Sequence, residues 1–343
     1  MAAILRRTFR ILRLLVVLVL ALALGAVLVF TLTGKGRENL AGLLSDLASS
    51  EKGKVRIGGL DGIWSGHLTL GYLVLEDTDG PWLAARDVAI DWSPLALISK
   101  TFRADRVSAA RVEVARLPKS EGGKGGGLPL DIAVGSLDLP DVALGEAIAG
   151  GIARLSATGA LAAKAEPLDV DLDLSLKRTD GREGAVEARI RVAPAENALD
   201  LSVEGSEPAG GIVANLLRLP GAPAIAFSAT GKGTADDWKG EGNFSVDGEV
   251  VTTLQGSYRE ADGARNIAVE GKGSFERFVP EMLRPLLSGD TAFGVAAALG
   301  AAGGVTVKRA TLESAAATVE AKGSIDPTRG SDFSLDLAAR GEP

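Results

Sequence analysis

Three spacings of apolar residues follow one another along the chain. From Leu14 to Thr33 the sequence LLVVLVLALALGAVLVFTLT is apolar without a break. Twenty residues at a rise of 1.5 Å reach about 30 Å, the thickness of a bilayer's hydrocarbon core, so this run predicts a transmembrane helix. Fourteen of the nineteen residues from Leu14 to Leu32 are Leu, Val or Phe, which favours insertion by about 4–8 kcal/mol. Arg6, Arg7, Arg10 and Arg13 precede the run, and no acid occurs before Glu38. That asymmetry holds the N-terminus, residues 1–13, in the cytoplasm and exports the chain beyond Gly34. A cleaved signal peptide is the alternative. Its apolar stretch is usually only about 7–15 residues, and Thr31-Leu32-Thr33 is a poor cleavage site.

Beyond the anchor, Leu40, Leu43, Leu44 and Leu47 fall on one helical face, which predicts a short amphipathic helix over 37–50. The period then drops to 2. In Asp169–Lys177 (DVDLDLSLK) Val170, Leu172, Leu174 and Leu176 point one way and the acids, Ser175 and Lys177 the other. The same alternation returns at 186–192 with Val186, Ile190 and Val192, at 199–204 with Leu199, Leu201 and Val203, and at 333–337. Val112–Val114 and Ile132–Val134 are shorter examples. Turn signals separate these runs: Asp79-Gly80-Pro81, Asp180-Gly181, Ala195-Glu196-Asn197, Asp247-Gly248 and Asp262-Gly263. One wet and one apolar face per strand is the pattern of antiparallel hairpins. Glu121–Gly127 (EGGKGGG) is a flexible loop or linker and a candidate seam between a β region at 51–120 and a repetitive one at 128–343.

A 66-residue echo runs through the second region. Leu201–Gly205 returns as Ile267–Gly271, Ile212–Leu219 returns loosely as Phe278–Leu286, and Phe227 returns as Phe293. Several strands and one short helix per unit is the expectation, in an elongated stacked architecture.

Composition narrows the chemistry. The 343 residues include no cysteine, which excludes a disulfide scaffold, a thiol enzyme or a thiolate metal site. His67 is the only histidine, so a histidine zinc site is excluded and His67 is expected as a solvated turn residue. Past the anchor the chain carries 33 of the 37 basic residues against all 44 acids, an acidic body without basic runs that argues against nucleic acid and against anionic lipid headgroups as a surface ligand. Aromatic residues are 4% of the chain against 44 glycines. A sealed core of this size ordinarily uses more rings, so a thin structure is expected. Asp169, Asp171 and Asp173 start like a calcium loop, but Leu174 stands where that loop needs glycine. Gly231-Lys232-Gly233-Thr234 lacks the spacing of a phosphate loop, and Gly62–Gly66 is not a hydrolase elbow. No acid–base dyad and no activated nucleophile emerges. The expectation is a protein that is not an enzyme and uses no cofactor or metal.

The first hundred exported residues carry a more specific pattern. Gly59-Leu60-Asp61-Gly62-Ile63-Trp64-Ser65-Gly66 leads into Leu68-Thr69-Leu70. Then come Leu75–Leu83, Ile90-Asp91-Trp92-Ser93-Pro94-Leu95 and Ala109–Pro118. Trp64, Trp82 and Trp92 supply most of the aromatic packing and are expected to cluster at one end of the sheet. This order, behind an arginine-led anchor, resembles the N-terminal part of the TamB family, inner-membrane subunits of the translocation and assembly module within the AsmA-like proteins. The resemblance covers about residues 1–120. Members are longer and end in a C-terminal domain that has no counterpart here, so the chain resembles an N-terminal portion.

The resemblance implies a long sheet folded lengthwise into a U-shaped, taco-like trough in the periplasm, anchored by one pass in the inner membrane. It also implies phospholipids as cargo, and a TamA-like outer-membrane β-barrel as partner in inserting outer-membrane and autotransporter proteins. Two exposed acyl chains of about sixteen carbons cost on the order of 25 kcal/mol in water. A groove lined by Val170, Leu172, Leu174, Leu176, Val186, Ile190, Val192, Leu199, Leu201 and Val203 would remove most of that. Two alternatives stand beside it: the apolar faces pack shut as an ordinary core, or the sheet templates nascent outer-membrane strands without carrying lipid.

Overall fold

The structure, a computed structural model, describes residues 53–62, 65–118, 131–164, 166–234, 236–261, 264–276, 281–300, 304–326 and 330–339. The expected anchor at 14–33, the amphipathic helix at 37–50, Trp64 and the glycine-rich run at 121–127 lie outside these residues. Among the described residues no helix is long and apolar enough to cross a membrane. The chain divides into two compact units, residues 1–165 with 178–180 and residues 166–177 with 181–343. Both are β structures with a few short helices, mainly antiparallel as the alternation predicts.

The first unit contains β1 (Gly53–Gly58), β2 (His67–Asp77), β3 (Gly80–Trp92), β4 (Thr101–Val114), β5 (Asp131–Leu144) and β6 (Ala153–Lys164). Neighbours in sequence are neighbours in the sheet, and all pair antiparallel except β4 and β5. That pair is parallel, a departure from the antiparallel reading. Residues 115–130 carry the chain back to the end where β4 began, as a parallel pair requires. Both strands flanking the glycine-rich run therefore belong to one unit.

One face of this sheet is sealed. Leu73, Ile90, Phe102 and Ile132 are at most 1% exposed, and thirty of the unit's described residues are buried hydrophobics. The alternation that puts them there is interrupted in each of four adjacent strands. Gly71-Tyr72, Arg86-Asp87, Asp105-Arg106 and Gly135-Ser136 each expose two consecutive residues. In the register the first two breaks face each other and lie beside Ala110-Arg111 of β4, whereas Asp105-Arg106 and Gly135-Ser136 form a separate pair nearer the other end; Asp87 accommodates its break with a φ of 51°. Buried Ile148 and Ala149 of the short helix α1 (Glu146–Ala149) extend the core beyond β5. Arg116, just past β4, holds the β2–β3 turn: its guanidinium binds both Asp77 oxygens and donates to the Gly80 carbonyl at 2.7 Å. The hydrogen bonds to Asp77 push its pKa up despite burial.

The expected tryptophan cluster does not form. Trp82 and Trp92 stand at opposite ends of β3, ten residues and about 33 Å apart on an extended strand. Each is buried separately, at 5% and 4% exposure. Trp92 stacks on Phe102 with ring centroids 6.2 Å apart. A strand cannot bring together residues near its two ends, whatever their shared motif.

Among the described residues the second unit is an up-and-down run of eleven strands. In order they are β7 (Asp169–Arg178), β8 (Ala185–Ala193), β9 (Ala198–Glu207), β10 (Ile225–Gly233), β11 (Trp238–Val246), β12 (Glu249–Ala261), β13 (Ala264–Gly273), β14 (Thr291–Leu299), β15 (Val305–Glu313), β16 (Ala317–Asp326) and β17 (Gly330–Ala339). Every consecutive pair is antiparallel. At 4.8 Å per strand the run spans about 48 Å in the hydrogen-bonding direction. Asp247 and Gly248 both take positive φ, the tight turn their sequence predicts between β11 and β12.

The 66-residue echo is structural. β13 starts and ends 66 residues after β9, and β14 does so after β10. The helix α2 (Ile212–Leu217) sits between the first pair, and a 3₁₀ segment, Glu281–Leu287, sits between the second. Four strands with one helical segment, always at the same end, make the repeat.

Candidate functional site

All ten residues picked out by alternation lie on one face of β7, β8 and β9, in lateral rows. Val170, Val192 and Leu199 form one; Leu172, Ile190 and Leu201 the next. Leu174, Ala188 and Val203 make the third, with Leu176 and Val186 beyond them. Leu172 is buried at 7% exposure, and the other nine are half-buried.

The rows do not stop at β9. Traced through the register, the second runs Leu172, Ile190, Leu201, Gly231, Gly240, Gly256, Val269, Val295, Ala310, Ala321, Leu335. The third runs Leu174, Ala188, Val203, Ala229, Gly242, Leu254, Gly271, Phe293, Leu312, Val319, Leu337. Neither contains a polar side chain across eleven strands. The neighbouring row on the other face begins Asp173, Arg189, Ser202, Thr230, Glu241, Gln255, Glu270. Most of the apolar face past β9 escapes a reading of the sequence because glycine and alanine blur the alternation there.

This face is not sealed as the first unit's is. Among its described residues the second unit contributes eight buried hydrophobic residues, four of them alanine. On β17, Phe333, Leu335 and Leu337 are 51%, 67% and 66% exposed.

Rings on the apolar face lie against glycine instead of standing up from the sheet. Phe227 faces Gly205 and Phe293 faces Gly271 directly across their strand pairs. A Cβ on either glycine would meet the opposing ring within 2.6 Å. Phe333 faces Gly323 in the same way. Trp238 covers three glycines of one row: a Cβ would meet its indole at 2.0 Å from Gly231, 2.5 Å from Gly240 and 3.7 Å from Gly256. Such flat aromatic–glycine pairing fixes register while keeping the surface low. Beside Trp238, burial and a 3.2 Å hydrogen bond from its hydroxyl to Glu260 push the Tyr258 pKa up.

The opposite face is polar. Asp171 pairs with Arg191 at 3.2 Å and Asp173 with Arg189 at 3.4 Å, so the acids that mimic a calcium loop are cross-strand ion-pair partners. Shallow open hollows of about 700, 350 and 480 Å³ lie over this face, the largest lined by Thr230, Lys232, Lys239, Glu241, Gln255 and Glu270 among others. None of the ten candidate groove residues lines them.

His67 opens β2 and its ring bonds the Asp91 carboxylate, both exposed or half-exposed. Ser65 donates instead to the Gly62 carbonyl at 2.8 Å. The three make no nucleophile–base pair. Among the described residues no group of three metal-ligating side chains converges.

No protein-family model matches the chain, and neither does any curated protein or solved structure.

Proposed function

We propose that this protein is an inner-membrane-anchored periplasmic carrier whose second unit holds the acyl chains of phospholipids on its apolar face. The headgroups stay in water. The observation that carries this reading is the pair of lateral rows, free of polar side chains over eleven strands and only half covered. Uniform rows of small and aliphatic residues offer near-equivalent sites, so a guest moves along them without deep traps. By its likeness to the TamB family, the chain would form part of a trough between the two membranes. A TamA-like barrel would be its partner in outer-membrane and autotransporter protein assembly.

Transfer of a fluorescent phospholipid between membranes by the reconstituted chain tests this. Leu201→Asp and Leu335→Asp place a carboxylate in the second row, the latter where the side chain is already 67% exposed and folding tolerates it. Each variant is expected to lose most transfer while remaining anchored. Undiminished transfer in both contradicts the reading. A second reading, strand templating by β-augmentation, has one observation in its favour: β17 pairs with β16 and is exposed along its whole length. Capture of unfolded barrel substrate without lipid supports it.

A further inference from the structure

We infer that the turn Pro94–Ser99, between β3 and β4, docks the first unit onto the surface of an anionic lipid bilayer. The turn is a 3₁₀ helix opened by Pro94, in which residues three apart eclipse one another. Leu95 and Ile98 hold that relation, and they are 73% and 77% exposed. Ala96 and Leu97, between them, are half-buried and seat the turn on the sheet. Lys100 closes it in a left-handed conformation, its N–H donated to the Ala96 and Leu97 carbonyls. Lys100 and Arg103 are exposed, and neither has an ion-pair partner among the described residues. Of the carboxylates near the turn, Asp91 is engaged by His67 and Asp131 also has a partner, while Asp105 is exposed two residues past Arg103.

Two large apolar side chains on a projecting turn make too little area for a stable protein interface, which needs roughly 800 Å² per partner. An interfacial bilayer region accepts single apolar side chains, and anionic headgroups reward the flanking cations. The acidic body as a whole is repelled by an anionic surface, so the attraction is local to Lys100 and Arg103 and the two apolar side chains carry the docking. The expected anchor bounds the distance: nineteen residues separate Thr33 from Gly53, a tether of at most about 65 Å, with Gly53 at the end of the sheet opposite Pro94–Ser99. Only this bound depends on the anchor.

The chain has no cysteine, so Leu95→Cys and Ile98→Cys each accept one fluorophore, with Ala147→Cys on α1 as an exposed control. Full chain in vesicles of phosphatidylcholine with phosphatidylglycerol is probed with lipid-borne nitroxide quenchers. Dyes at 95 and 98 are expected to quench strongly and the dye at 147 weakly. Lys100→Gln and Arg103→Gln should each lower the docked-to-free ratio by about fivefold. Quenching at 95 and 98 no greater than at 147 overturns the proposal. So does shielding from aqueous iodide without lipid quenching, which would place protein over the turn. A dye at Val19→Cys reports on the anchor alone, so its failure is distinct from failure of the docking.

Discussion

Trp238 shows how this sheet uses its few large residues. Its indole lies over Gly231, Gly240 and Gly256 on three adjacent strands, so a side chain at any of those glycines competes with it. Gly231→Ala puts a methyl 2.0 Å from the Trp238 ring. The ring must lift, at an expected cost of about 1–3 kcal/mol. Denaturant unfolding and the position of tryptophan emission check this; unchanged stability and emission would show that the indole is not seated there. In the sequence Trp64, Trp82 and Trp92 stand out for their motif, whereas Trp238 has none to mark it. A ring's role in a sheet depends on what stands across from it, and cross-strand partners are fixed by register. Glycines recurring at 231, 240 and 256 are the available signal.

Elements are legible in proportion to how strictly they alternate. β7, β8, β9 and β17 match the alternating runs, the first three because each keeps one face wet and breaks only at its turns, while β17 alternates in sequence with both faces exposed. In β2 to β5 pairs of consecutive outward residues interrupt the period, and only fragments such as Val112–Val114 stand out. The parallel β4–β5 pair leaves no mark at all, since pairing direction depends on where the chain returns. Helix α2 is visible in Ile212–Leu219, but its cap is not. Glu207, 8% exposed, accepts hydrogen bonds from the N–H groups of Ile212 and Val213 at 2.9 and 2.6 Å. Glu207→Ala leaves both donors unmet, with an expected loss of about 1–2 kcal/mol. Faster amide exchange confined to 211–217 is the expected signature, and unchanged exchange there would show the cap to be dispensable.

At the scale of the whole chain, two β units treat their apolar faces differently. The first spends Leu, Ile, Val and aromatic residues on a sealed face; the second spreads glycine, alanine and flat-lying rings over a half-covered one. That difference is what a shortage of aromatics signifies in the sequence, although composition cannot say which part is thin. Lipid carriage therefore requires that the second unit's apolar face meet hydrocarbon in the cell. Photo-crosslinking residues placed singly at Ile190, Val203 and Val269, spread over that face on β8, β9 and β13, measure this directly. Phospholipid adducts at all three positions are predicted. Crosslinks only to other residues of the same chain would mean that the face is closed on itself, and would contradict a carrier role.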